Sequence, residues 1–291
     1  MNRHKLLDVV PLWLAGKLIG EDRKLFARRV ESAGYEEHLD AVSASLPAID
    51  RQQKRDLHPE SLVGTVDSGL FVGQWLGPDR PTIIYHHGTR ERPFSSNPYR
   101  NSFKRVLLDA DRPFEANLIA VRAPLHTLGF RAYLDRLTEA PNLVAMLTVP
   151  VELTEALVDR LDGRVMVSGL SLGGFVTNLH RTFHDSADVY APILAGTLYS
   201  DVVLNAAFRH VTADRAKARP DTVRELVDFE EGFREAESEV RPLLGRYDAN
   251  VRYEPQRRAY GGLPVRTLEK GHLTATLATE ALREHVRTAM E

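Results

Sequence analysis

The stretch VMVSGLSLGGFVTNLHRTF, Val165 to Phe183, changes from strand to helix within a few residues and sets a serine at the corner. Val165, Met166 and Val167 form a short apolar run with β-branched residues, the pattern of a strand buried on both faces. Phe175, Val176 and Leu179 recur at helical spacing and read as one buried helix face. Joining the two so abruptly requires small residues where a Cβ would meet neighbouring backbone, and Gly169, Gly173 and Gly174 flank Ser171. A serine at such a tip exposes its hydroxyl, and the N–H that follows it lies free at a helix N-terminus. The bland reading is a glycine-rich turn with Ser171 as the helix cap. The sharper reading is an activated hydroxyl, which needs partners elsewhere in the chain.

Strands and helices alternate on both sides of this corner. Residues 1–55 read as helical, with Leu6, Leu7, Val10, Leu14 and Leu18 as an apolar stripe that docks the first helix on the domain. Asp8, Pro11 and Lys17 interrupt the apolar stretch, against an export signal. SLVGTVDSGLFVGQWLG reads as a hairpin around Ser-Gly, and PTIIYHHG and FEANLIAVRAP as strands. Helices follow from about 131 to 161, broken near Pro141 and Pro150, and DVYAPILAG is a further strand. After a polar helical stretch, PLLGRYDANV and LPVRTLEKGH read as two last strands ahead of a closing helix. This succession specifies an α/β fold, a mostly parallel sheet covered by helices on both faces. The expected division is a helical N-terminal extension at 1–58, a core at 59–198 and 240–291, and a helical lid insertion at 199–239.

At 291 residues, burial of a substantial core is assured. The 38 basic and 40 acidic residues are interspersed, for a net charge of −2, which leaves no basic footprint for nucleic acid. The polar face of the first helix is not strongly basic, so no membrane partner is expected. With no cysteine, disulfides and thiolate chemistry are excluded, and a cytoplasmic setting fits. No His/Asp spacing of the HExxH kind points to a metal.

In an open parallel sheet, chemistry gathers at the C-terminal ends of the strands. Those ends carry His87-Gly88-Thr89, Ser171, Asp248 and His272. A serine hydroxyl needs a base to take its proton, imidazole has a suitable pKa, and a carboxylate fixes the imidazole's tautomer. His86 and His87 read as structural holders of their loop. Arg90, Arg92 and Arg100 read as a solvated loop or as a grip on an anionic substrate group. Phe94, Tyr99, Phe130 and Tyr133 line either an acyl pocket or the core.

From about residue 60 onward the chain resembles the α/β-hydrolase superfamily, on HHG after the third strand, GLSLG at the corner, GRYDANV and EKGHLT. The order Ser, Asp, His is also that of the superfamily. The resemblance implies Ser171 as nucleophile, His272 as general base and acid, and Asp248 as the orienting carboxylate. Asp201, one strand earlier, is the rival for the acid. The backbone N–H groups of Leu172 and Thr89 would form the oxyanion hole. It implies a serine hydrolase acting on a small-molecule carboxylic ester or related acyl bond, most simply a carboxylic-ester hydrolase, with no cofactor and no metal. An acyltransferase on the same triad, or a non-catalytic binding protein on this fold, are the alternatives. The oligomeric state is left open.

Overall fold

The structure, a computed structural model, describes residues 2–291. Among them nine strands form one sheet: β1 (Gln53–Leu57), β2 (Ser68–Gln74), β3 (Thr82–His86), β4 (Asn117–Arg122), β5 (Val165–Leu170), β6 (Val189–Ile193), β7 (Glu239–Val240), β8 (Leu243–Gly245) and β9 (Arg266–Leu268). The order across the sheet is β1-β2-β4-β3-β5-β6-β8-β9, with β7 also pairing β6. β1 and β2 are antiparallel, as are β2 and β4; the remaining pairs are parallel.

Every residue of β3, β4, β5 and β6 is buried, as strands covered on both faces must be. Their side chains alternate between two cores. Ile84, Ile119 and Val167 face the larger one, which α4 (Ala140–Val158) and α5 (Leu172–Phe183) complete. Ile83, Tyr85 and Met166 face the smaller one, closed by α12 (Thr279–Met290) and a π-helical turn at Lys104–Leu108. α4 runs unbroken through Pro150, against the expected break. An interior proline costs about 3 kcal/mol, and burial of most of this helix in the larger core offsets that cost. Among the described residues α4 is also the one helix long and apolar enough to cross a membrane, and here it is a core helix.

The N-terminal reading needs correction. Only α1 (Arg3–Leu18), a 3-10 turn at Glu21–Arg23 and α2 (Tyr35–Asp40) are helical, and Gln53–Leu57 is an edge strand of the sheet. QKRDL carries no strand signal because its charged residues face water, the usual protection of an edge. Its partner is β2 alone, so the expected hairpin within 61–77 is not formed: Ser68-Gly69 lies inside β2. A Cβ on Gly69 would come within 2.7 Å of the Phe94 ring and 2.8 Å of the Arg55 carbonyl oxygen, so a glycine there lets β1 approach.

α1 also docks the other way round. Leu6, Leu7, Val10, Trp13, Leu14 and Leu18 are its exposed large apolar residues, whereas Asp8, Leu12, Ala15 and the following Ile19 face the protein. Segment 199–239 is helical as expected, in α6 (Tyr199–Leu204), α7 (Asp214–Lys217), α8 (Pro220–Val227) and α9 (Glu230–Glu235). Tyr199, Val203, Val223, Val227 and Phe233 are nevertheless part of the larger core, so these helices are bound into the domain.

Candidate active site

Ser171 stands between β5 and α5 at φ 56°, ψ −113°, a conformation that side-chain-bearing residues rarely adopt. Its N–H is held by the Ile193 carbonyl at 2.7 Å, and its carbonyl accepts the Gly174 and Phe175 amides. The glycines make this possible. A Cβ on Gly169 would sit 2.2 Å from the Gly173 carbonyl oxygen, and one on Gly173 would sit 2.1 Å from the His86 carbonyl oxygen. Helix α5 therefore starts in contact with the end of β3.

The Ser171 hydroxyl lies 2.9 Å from His272 Nε2, and His272 Nδ1 lies 2.6 Å from Asp248 Oδ2. His272 opens α11 (His272–Thr276), just after β9, and Asp248 lies in the turn after β8. With Nδ1–H donating to the carboxylate, Nε2 is left to accept the serine proton. Asp248 is locked by its own turn, since Oδ1 accepts the Asn250 and Val251 amides at 2.8 and 2.7 Å. Burial raises its pKa, while the imidazole and the Val251 amide pull it back. Burial pulls the pKa of His272 down, but the carboxylates of Asp248 and Asp8 outweigh it, and the net shift is upward.

Asp8 carries no motif that marked it in the sequence. It is 3 % exposed, and its Oδ2 accepts the His272 amide at 2.8 Å and the Ala249 amide at 3.1 Å. Its Oδ1 accepts the Leu273 amide at 2.9 Å. One carboxylate on α1 thus caps the N-terminus of α11 and ties it to the residue after Asp248. His4, also on α1, adds a bond to Thr274 at 2.8 Å. An aspartate in the middle of an apolar helix was the available signal, because such a position tolerates a charge only when it is fully hydrogen-bonded.

The amides of Leu172, directly after Ser171, and of Thr89 donate to no protein group among the described residues. Thr89 follows a loop fixed by His87, whose Nδ1–H donates to the Gly88 carbonyl at 2.8 Å while Nε2 accepts the Ala123 amide at 3.1 Å. Burial, with His126 alongside, keeps His87 neutral by lowering its pKa well below the usual value. His86, whose Nε2 is 3.0 Å from the Thr154 hydroxyl, is pushed down by burial to about 3. Of the two histidines expected to hold the loop, His87 does so, whereas His86 is the last residue of β3 and ties that strand to α4. Asp201 does not reach the imidazole: its two carboxylate oxygens accept from Nε and Nη2 of Arg252, the first contact at 2.9 Å.

Beside Thr89 lies an apolar cavity of about 260 Å³, lined by Phe130, Tyr133, Tyr199 and Val203 and by Leu12 and Ala15 of α1 with the following Ile19. Arg90 stands over the Phe130 ring at 4.3 Å and borders the cavity, so of the three loop arginines it is the one at this mouth. Phe94 packs instead on Phe71 and Arg122, and Tyr99 is on the surface. Among the described residues no three His, Asp or Glu side chains group closely enough to hold a metal ion.

The architecture and the serine corner together define a class by fold. No family model matches the chain, and no curated protein matches it in sequence. Solved structures do match in fold. Acetyl xylan esterase 1 from Thermoanaerobacterium sp. JW/SL YS485 superposes with a TM-score of 0.53 at 13 % identity, over 96 % of this chain and 93 % of that one. Est1E from Butyrivibrio proteoclasticus gives 0.53 at 14 %, over 78 % and 95 %. The Pyrococcus horikoshii acylaminoacyl peptidase gives 0.53 at 13 %, over 81 % of this chain, which spans only 40 % of the peptidase. These likenesses show the α/β-hydrolase fold.

Proposed function

We propose that the chain is a serine hydrolase that cleaves a carboxylic ester through an acyl-enzyme. The observation that carries the reading is the continuous hydrogen-bonded line from Ser171 through His272 to Asp248, with two free amides beside it. His272 Nε2 takes the serine proton as Oγ attacks the carbonyl carbon. The oxyanion moves into the Leu172 and Thr89 amides, each such donor being worth about 2.7–4 kcal/mol in the transition state. The imidazolium, held by Asp248 and Asp8, passes its proton to the departing alcohol. Water then enters by the same route, and the acid is released.

The cavity beside Thr89 is the candidate acyl pocket. It is smaller than the roughly 300–1,000 Å³ of sites for drug-sized ligands, which favours short or medium acyl groups over long ones. A panel of p-nitrophenyl esters of graded acyl length, with an anilide analogue alongside, tests the reading. Turnover peaking at short or medium esters and abolished in Ser171→Ala supports it. Turnover unaffected by that substitution, or restricted to the anilide, contradicts it.

A further inference from the structure

The stripe Leu6, Leu7, Val10, Trp13, Leu14 and Leu18 faces water along the whole of α1, with Leu18 85 % and Trp13 45 % exposed. Isolated exposed leucines are ordinary, but six on one helix face are an interaction surface. The patch continues onto α11 and its C-cap, where Leu273 and Leu277 are exposed near the His4–Thr274 and Asp8–Leu273 bonds that join the two helices.

The charges around the stripe are predominantly positive. The single acid of α1, Asp8, is buried, while Arg3, Lys5 and Lys17 are exposed. Next to Trp13 a surface cavity of about 380 Å³ gathers Lys17, Lys24, Arg209, His210 and Lys217. Glu21 and Asp214 pair with Lys24 and Lys217, but Lys17 and Arg209 have no carboxylate partner among the described residues. These cations lower the His210 pKa beyond what its burial does, so the field there is positive.

We infer that the outer face of α1 docks the protein on an anionic lipid bilayer. An apolar helix face flanked by cations is the pattern that lies in a lipid interface, with Trp at headgroup depth. A second copy is the poorer occupant, because an isologous contact on this stripe would set its flanking cations against their own kind. The sequence pointed away from a membrane because the polar face of α1 is not strongly basic by itself; Lys24, Arg209 and Lys217, brought beside it by the fold, supply the further cations. Docked in this way, α1 presents its inner face, with Asp8 and its part of the cavity lining, to the site, and its outer face to the bilayer.

The test uses the full chain and is independent of ester turnover. The chain has two tryptophans, so Trp75→Phe leaves Trp13 as the sole reporter. With phosphatidylglycerol–phosphatidylcholine vesicles, Trp13 emission should shift to the blue and the protein should float with the vesicles. Pure phosphatidylcholine should bind it more weakly, and salt should release it from the anionic vesicles. Leu14→Glu with Leu18→Glu, both at exposed positions, should weaken binding about tenfold or more at an unchanged Tm. Lys17→Gln with Arg209→Gln should weaken it about fivefold or more per cation, on anionic vesicles only. Absence of flotation with anionic vesicles, or flotation unaffected by the two glutamates, overturns the inference. So does a wild-type dimer that these glutamates convert to monomer, since the stripe would then belong to a second copy.

Discussion

Replacing Asp8 by asparagine keeps the side chain's shape and removes its charge, and the structure states what is lost. With the amide oxygen in the place of Oδ2, the His272 and Ala249 amides keep an acceptor, but a neutral one. The Leu273 amide then meets an NH2 group and is left unpaired in a half-buried place. Weakening two charge-assisted bonds by about 1 kcal/mol each and orphaning one donor at about 1–3 kcal/mol gives a loss of about 3–5 kcal/mol. In a domain of this size that lowers Tm by roughly 5–8 °C. The electrostatic consequence is separate. The carboxylate of Asp8 helps raise the pKa of His272. The imidazole must be neutral to take the serine proton, so the acid limb of kcat/KM should lie above the ordinary imidazole value of 6.5 in the wild type. Without that negative charge the imidazolium is less favoured, and the limb should move to lower pH. The assay is kcat/KM against pH on one p-nitrophenyl ester, beside thermal melts of both proteins. A lower Tm with an unmoved limb would reduce Asp8 to a purely structural cap, and a limb displaced upward would refute the electrostatic reasoning outright.

Three further outcomes are expected. Asp248→Asn should lose about 10⁴ in kcat, about 5 kcal/mol of transition-state stabilisation, while Asp201→Asn, which only frees Arg252, should lose little turnover; steady-state kinetics on the two variants separates the rival acids. Ala15→Leu should fill part of the cavity beneath α1 and shift preference toward shorter acyl chains, read from kcat/KM across the ester panel. His86, His126 and His285 are buried with pKa values pushed down by burial to about 3, 4 and 4, so the folded state resists protonation that the unfolded chain accepts below about 6.5. Their contribution is whole above that pH and is lost as pH falls toward 4, by up to about 4 kcal/mol per pH unit for the three together; denaturant melts at stepped pH measure the slope.

The parts of the site that follow from local chemistry were legible in the sequence. The glycines around Ser171 mark a backbone that only they allow, and the buried runs of β3 to β6 mark a sheet covered on both faces. Asp248 and His272 were found because strand ends in a parallel sheet collect at one edge. What escaped depends on tertiary placement. β1 has no strand propensity of its own and is a strand because β2 offers it an edge. The stripe on α1 was assigned to the inside because apolar faces usually go there. Its opposite face carries one aspartate, whose value appears only when the amides of Ala249, His272 and Leu273 converge on it. The charged residues of 199–239 concealed a buried apolar set that only the packed helices reveal.

If Ser171 is an activated nucleophile, as proposed, a fluorophosphonate should label it covalently. The folded wild type should gain the mass of one adduct, placed on Ser171 by peptide mapping, and Ser171→Ala should gain none. His272→Ala should label far more slowly, because nothing then removes the hydroxyl proton. Labelling that persists in Ser171→Ala, or a folded wild type that stays unlabelled, would contradict the account.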